Sequence, residues 1–233
     1  MSESANRTIY VVHGSESSLL KPIVSSMAKS SQVIRIYRSQ IPAKLPNCTD
    51  LQSVGELGQL LERETMTEPA RVVIIGAAAL SQNKLYSQMS LSEISEIIET
   101  NVISYANLIA EVLPTMIRMK FGRFIYLSSF RSIHHVNGAT LYSASKAFGE
   151  RLFVGVGSEY GRLNICSTSI RMGYFEGRMA LELSKDQLQK LSKKISLRRL
   201  GTEAELLRTI EFAIENPYSN GGIIELHGGI LCE

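Results

Sequence analysis

The chain has 233 residues, 44% hydrophobic and 20% charged, with 25 Lys and Arg against 22 Asp and Glu. That is enough chain for one ordinary globular core, and a net charge of +3 is too small to make nucleic acid the default partner. The longest apolar run, Val72 to Leu80, is about half of a membrane span, so no membrane association is expected.

The polar start Met1-Ser-Glu-Ser-Ala-Asn-Arg7 lacks the apolar centre of an export signal. Cys48, Cys166 and Cys232, odd in number and far apart, suit a reducing compartment better than a disulfide framework. A cytoplasmic location is the expectation. No repeat, low-complexity tract or Pro/Gly-rich linker divides the sequence, so residues 1–233 read as a single domain.

Short β-branched runs recur in chain order: Thr8–His13, Val33–Tyr37, Val72–Ile75, Arg123–Leu127, Asn164–Ile170 and Ile223–Leu226. Helix-length segments lie between them, notably Ser90–Met119, Tyr142–Tyr160 and Thr202–Glu215. Nearly continuous apolar runs, rather than alternating ones, predict parallel strands covered on both faces. Their alternation with helices predicts an α/β, Rossmann-like, doubly wound parallel sheet. In such a sheet ligands bind beyond the carboxyl ends of the strands. Function is therefore to be sought just after each strand.

The first strand ends in His13-Gly14-Ser15-Glu16-Ser17-Ser18-Leu19-Leu20. A Gly-rich turn there lets backbone N–H groups and a helix N-terminus hold a pyrophosphate, but only the first glycine is present, and taken alone this is an ordinary strand-to-helix turn. Ile94, Ile97, Ile98, Tyr105, Leu108, Ile109 and Val112 form an apolar stripe at helical spacing, and Asn101 falls on it. A buried amide left without hydrogen bonds costs about 1–3 kcal/mol, so Asn101 needs an internal partner, most simply a neighbouring backbone group.

The strand from Arg123 runs into Ser128-Ser129, which sets hydroxyls at the carboxyl edge of the sheet. Serines there are commonly turn formers. Farther on stands Tyr142-Ser-Ala-Ser-Lys146. Residues four apart share a helix face, and an ammonium beside a phenol favours the phenolate, lowering its pKa. A Tyr/Lys pair by itself is more often an incidental surface pair.

Together, Asn101, Ser129 and Tyr142-x-x-x-Lys146 on this alternation of strand and helix resemble the short-chain dehydrogenase/reductase family, over essentially the whole chain. Gly122–Ser129 is similar to the family's fifth strand, and Gly221–Gly229 to its last. The resemblance implies a nicotinamide dinucleotide and reversible hydride transfer between a carbonyl and an alcohol. On that reading Tyr142 exchanges the proton with the substrate oxygen, and Ser129 hydrogen-bonds that oxygen. Lys146 lowers the Tyr142 pKa and holds the nicotinamide ribose, while Asn101 anchors a water that feeds protons through Lys146.

The departures from the family pattern concern the cofactor. Ser18 and Leu20 stand at the second and third glycine positions, so phosphate contacts fall to Gly14, Ser15, Ser17 and Ser18. The family's Asn-Asn-Ala-Gly reads Ile75-Gly76-Ala77-Ala78, with Gly76, Ala77 and Ala78 small enough for adenosine to lie against. Its Pro-Gly reads Met172-Gly173, followed by Gly177 where a threonine is usual. Arg38 and Ser39 end the second strand with no acid, which favours NADP(H) over NAD(H) because a guanidinium accommodates a 2′-phosphate. Asn47 or Asp50, after the third short strand, would hydrogen-bond the adenine.

Residues 179–200 lie where the family carries its substrate lid. From Lys185 to Arg199 they carry Lys185, Lys190, Lys193, Lys194, Arg198 and Arg199 against only Asp186, a pattern of a solvated helix face or, more sharply, of a grip on an anionic substrate handle. Arg131, His134 and His135 fall at the expected substrate entrance, and adjacent histidines have no metal-ligand spacing, so no metal is expected. The family also implies a homodimer or homotetramer. The alternative is a non-catalytic or regulatory binding module of the same fold, with weakened or lost cofactor binding, for which the eroded glycine turn is the warrant.

Overall fold

A computed structural model describes residues 7–15, 17–38, 44–134, 136–177 and 183–230. Seven strands form one sheet in the order β3-β2-β1-β4-β5-β6-β7. They are β1 Thr8–His13, β2 Gln32–Ile36, β3 Cys48–Leu51, β4 Arg71–Gly76, β5 Gly122–Ser129, β6 Ile165–Met172 and β7 Gly222–Leu226. Every pairing is parallel. Between them run α1 Leu20–Met27, α2 Leu57–Thr67, α3 Leu91–Ile98, α4 Ser104–Met119, α5 Thr140–Tyr160, α6 Lys185–Lys193 and α7 Glu203–Glu215.

The runs of β1, β2, β4, β5 and β6 are largely buried because their side chains alternate between two cores. The edge strand β7 instead alternates, with Ile223 and Glu225 exposed and Ile224 and Leu226 half-buried, against the expectation of cover on both faces. In β4, Val72 and Ile74 pack with α2, α4 and α5 through Leu61, Leu108, Val112 and Phe153. Val73 and Ile75 face the other layer, with Ile23 and Val24 of α1 and Leu206 and Ile210 of α7. The chain reverses its winding between β1 and β4, which pair His13 with Gly76 at their carboxyl ends. That switch point is where an open α/β sheet leaves a crevice.

The helix expected over 90–119 is interrupted. A capping box of Ser90 and Glu93 starts α3, and one π-helical turn, Glu99–Ile103, separates it from α4. The extra residue of that turn places Asn101 inside, where it is 1% exposed, and such turns concentrate at functional sites. Among the described residues no helix is long and apolar enough to cross a membrane.

Candidate active site

A cleft of about 1370 Å³ opens at the carboxyl edge of the sheet over the switch point. Gly14, Ser17, Ser18, Ala77 and Ala78 line it at one side, Arg38 at one end, and Ser129, Tyr142, Lys146, Met172 and Gly173 across the floor and far wall. The space and the small side chains at the switch point suit a dinucleotide. Gly14 has a φ of +87°, and a Cβ there would stand 2.4 Å from the Ala78 nitrogen, so only glycine lets the first turn close against the loop after β4. Leu20 opens α1 at 1% exposure and packs with Val12, Ile75 and Leu127. It serves as a core residue under the turn that still leaves the cleft open.

The end of β5 and the first turns of α5 bring three sequence-selected groups together. Ser129 and Tyr142 both line the cleft, and the Ser129 hydroxyl is near enough to the phenol to act on its pKa. Lys146, one turn farther along α5, is 2% exposed and donates to the Leu127 carbonyl at 2.7 Å. Its ammonium lies 4.9 Å from the centre of the Tyr126 ring and 5.9 Å from that of Tyr142.

The electrostatics differ from the sequence expectation. Burial raises the Tyr142 pKa, opposed by the Ser129 hydroxyl and the Arg131 charge. Lys146 is not the group that offsets the rise: burial lowers its own pKa to about 7, against the pull of Glu150. Desolvation wins on both members of the pair.

Asn101 stands behind the cleft. Its Oδ1 accepts from the Leu80 N–H at 2.7 Å, and its Nδ2 donates to the Leu80 carbonyl and to Ser145 Oγ, both at 2.9 Å. Ser145 in turn donates to the Tyr142 carbonyl at 2.7 Å. The amide therefore bolts the loop after β4 to the turn of α5 between Tyr142 and Lys146.

Four cofactor residues expected from the sequence lie elsewhere. Ser15 is 3% exposed and turns inward, with its N–H and hydroxyl both directed at the Ile36 carbonyl at 3.4 Å. Gly76 is a packing glycine: a Cβ there would meet the Tyr105 ring at 2.7 Å. Asn47 sits at the opposite, amino-terminal edge of the sheet and donates to the Ala28 carbonyl at 3.0 Å. Asp50 takes both arms of Arg35 on the neighbouring strand, at 2.7 and 2.8 Å. At that end the cleft is lined instead by Gln52, Ser53 and Val54. Ser39 and His135 lie outside the described residues, as do 179–182 of the lid.

Leu183, Leu191 and Leu200 of the lid region line the cleft, whereas Lys185, Lys190, Lys193 and Lys194 are exposed. Arg199 is committed to Glu205 at 2.6 and 2.9 Å. His134 packs its ring 6.4 Å from that of Phe130.

Three groups escaped the sequence reading. Glu150, a further turn beyond Lys146, is 4% exposed and accepts from Ser128 at 2.6 Å, Ser132 at 2.7 Å and Arg171 at 2.8 and 3.0 Å. Arg171 also binds Glu225 on β7. These bonds join α5, the ends of β5 and β6, and the turn after Ser129. A charge inside the otherwise uncharged run Ile165–Met172 was the available signal, since a buried guanidinium demands a partner. His13, 6% exposed with its Nδ1 unpartnered, lies edge-on to Tyr105 at 5.0 Å. Burial, with Lys146 nearby, lowers its pKa to about 4, which keeps it neutral.

A switch-point cleft with a serine, a tyrosine and a lysine on its floor belongs to the class of Rossmann-type oxidoreductases. Residues 26–188 match the model of the short chain dehydrogenases. The chain belongs to that family, whose members are NAD(P)-dependent oxidoreductases. Among curated relatives, an acetoacetyl-CoA reductase of Acinetobacter sp. (strain RA3849) is 26% identical over 185 residues, covering 78% of this chain and 74% of the relative.

Among solved structures, ElxO with NADP bound superposes with a TM-score of 0.83 at 17% identity, covering 97% of this chain and 100% of that one. A 3-oxoacyl (acyl-carrier-protein) reductase from Agrobacterium tumefaciens C58 with NADP bound gives 0.82 at 18%, covering 95% and 93%. At such identities the structural likeness is one of fold.

Proposed function

We propose that this single-domain chain is an NADP(H)-dependent oxidoreductase that interconverts a carbonyl and an alcohol, with Tyr142 as the proton donor and acceptor. The observation that carries the reading is the gathering of Ser129, Tyr142 and, one turn along the same helix, Lys146 on the wall of one dinucleotide-sized cleft. The bound dinucleotide would supply or accept the hydride. Gly14, Ser17, Ser18, Ala77, Ala78, Met172 and Gly173 line the space for its body.

The chain's own groups do the rest. Ser129 hydrogen-bonds the substrate oxygen as negative charge builds, an effect of about 3 kcal/mol for one donor of this type. The raised Tyr142 pKa keeps the phenol protonated at neutral pH, which suits a proton donor in the reducing direction. Lys146, held on the Leu127 carbonyl with its ammonium 5.9 Å from the centre of the Tyr142 ring, would hold the nicotinamide ribose. Asn101 acts through Ser145 and the Leu80 loop as a positioning residue.

The preference for NADP(H) rests on Arg38, whose guanidinium lies at the cleft end and pairs with Glu96 at 3.1 Å and Thr100 at 3.2 Å. The NADP-bound structures of similar fold lean the same way. A cytoplasmic homodimer or homotetramer belongs to the same proposal, supported by exposed Ile117 on α4 and Phe148 on α5.

Fluorescence titration with NADPH and NADH tests the reading: binding is expected, tighter for NADPH. Tyr142→Phe should then lower turnover roughly 10²- to 10⁴-fold with little change in NADPH affinity. A protein that binds neither dinucleotide is the non-catalytic module instead.

A further inference from the structure

Arg131 stands apart from the other arginines. Among the described residues, those that are partly or fully buried are engaged: Arg7 with Glu64, Arg35 with Asp50, Arg71 with Glu215, Arg123 with backbone carbonyls, and Arg171 with Glu150. Arg63, Arg151, Arg162 and Arg208 are exposed. Arg131 is partly buried and lines the cleft, and no carboxylate among the described residues comes within ion-pair distance of its guanidinium. A half-buried guanidinium with no ion-pair partner keeps its donors available to a ligand in the cleft. A chain that keeps one at the mouth of a binding site has left a place for an anion.

The position of that place relative to the chemistry is fixed locally. The Arg131 N–H donates to Ser129 Oγ at 3.3 Å, Arg131, Ser129 and Tyr142 line the same cleft, and the Arg131 charge is felt at the Tyr142 phenol. The surrounding wall is apolar: Phe130 and Tyr174 pack with ring centres 5.2 Å apart, and Phe175 and Leu191 line the same cleft. A planar guanidinium fork prefers a bidentate carboxylate.

Building on the oxidoreductase reading, we infer that the substrate is a short oxo acid, its carboxylate held by Arg131 and its carbonyl by Ser129 and Tyr142. In the reducing direction the carbonyl carbon takes a hydride from NADPH, which is oxidised to NADP⁺. The carbonyl oxygen takes the Tyr142 proton, and the product is the hydroxy acid. Arg131 would then set specificity, selecting a carboxylate a few bonds from the reacting carbon over a neutral ketone.

The test uses the full chain with NADPH and three oxo acids of increasing length, pyruvate, acetoacetate and levulinate, each beside its neutral methyl ester. At least one acid should be reduced with a higher kcat/KM than its ester. Arg131→Gln should lower the acid-to-ester ratio of kcat/KM roughly 10- to 100-fold, mainly through KM for the acid. Arg131→Lys should restore part of that ratio, and both variants should melt close to the wild type because, among the described residues, the guanidinium makes no hydrogen bond or ion pair that the change would break.

Reduction of no acid, esters preferred by the wild type, or a ratio unmoved in Arg131→Gln would each overturn the inference while NADPH binding still stood. Failure to bind NADPH would instead remove the oxidoreductase reading on which it rests.

Discussion

Lys146 donates its ammonium to the carbonyl oxygen of Leu127 at 2.7 Å, which ties the helix carrying Tyr142 to the strand ending in Ser129. The bond holds a cation in a place where burial lowers its pKa to about 7, well below the ordinary lysine value of about 10.4.

A pH signature follows from that bond. Between about pH 7 and about pH 10.4 the unfolded chain binds a proton at this lysine that the native state increasingly lacks, so this group makes stability rise with pH across the window. Below it both states are charged and the native state bears the full desolvation. Lys146→Met removes the group. Its free energy of unfolding relative to wild type should be larger, that is the variant comparatively more stable, at about pH 6 than at about pH 9.5, read from urea midpoints. A difference independent of pH would show that the ammonium is not strained by burial.

Glu150 is the other buried charge of α5, and its four hydrogen bonds from Ser128, Ser132 and Arg171 hold its pKa below the usual carboxylate range. Its contribution is complete above about pH 4.3 and is lost as pH falls through the lower native value. Glu150→Leu leaves Arg171 half-paired and should cost about 3–5 kcal/mol. The double change with Arg171→Leu should recover part of that cost and flatten the acid limb of the stability profile. Denaturation between neutral and acid pH checks both outcomes.

How much of this was legible beforehand depends on whether a residue's partner is near in sequence. The β-branched runs announced every long strand, because burial on both faces removes alternation. Tyr142 and Lys146 were visible because one helix turn joins them, and Ser129 because a strand end points it at the same edge. Asn101 was visible as a polar residue on an apolar stripe, although the π turn that seats it was not.

Asn47 and Asp50 were misplaced for the opposite reason. Which edge of the sheet a short strand presents, and that Arg35 on the adjacent strand claims Asp50, depend on pairing across 15 residues. Glu150 and Arg171 are 21 residues apart: Arg171 stands out as a charge in an apolar strand, but Glu150, its partner, passes for an ordinary helix-surface charge. Gly76 resembled a ligand-facing glycine until Tyr105 occupied its side-chain space.

Gly149 controls how closely α5 approaches β5. A Cβ there would stand 2.3 Å from the Tyr126 ring, and that ring stacks on Phe153 at 4.9 Å in the filled core. Gly149→Ala must therefore push the helix outward and stretch the Lys146–Leu127 bond. The expected loss is about 1–3 kcal/mol, although alanine is the better helix former. A thermal melt measures it, and a variant as stable as wild type would mean the ring swings aside.

Asn101 offers the sharpest contrast between two small changes. Asn101→Ala leaves the Leu80 N–H and carbonyl and the Ser145 hydroxyl without their buried partner, at a cost of about 1–3 kcal/mol for each group that water cannot reach. Asn101→Asp keeps the acceptor for the Leu80 N–H, yet an ionised carboxylate faces the Leu80 carbonyl at the position where Nδ2 now donates at 2.9 Å. Acceptor against acceptor in a site 1% exposed raises the native pKa of that aspartate above its unfolded value of about 3.9. The native state of this variant then binds more protons than the unfolded one, and its deficit relative to wild type shrinks as pH falls. Urea unfolding at about pH 7 and about pH 4.5 should show Asn101→Asp gaining on Asn101→Ala at the lower pH. Parallel losses at both would mean that the amide's donation to Leu80 does not hold the loop.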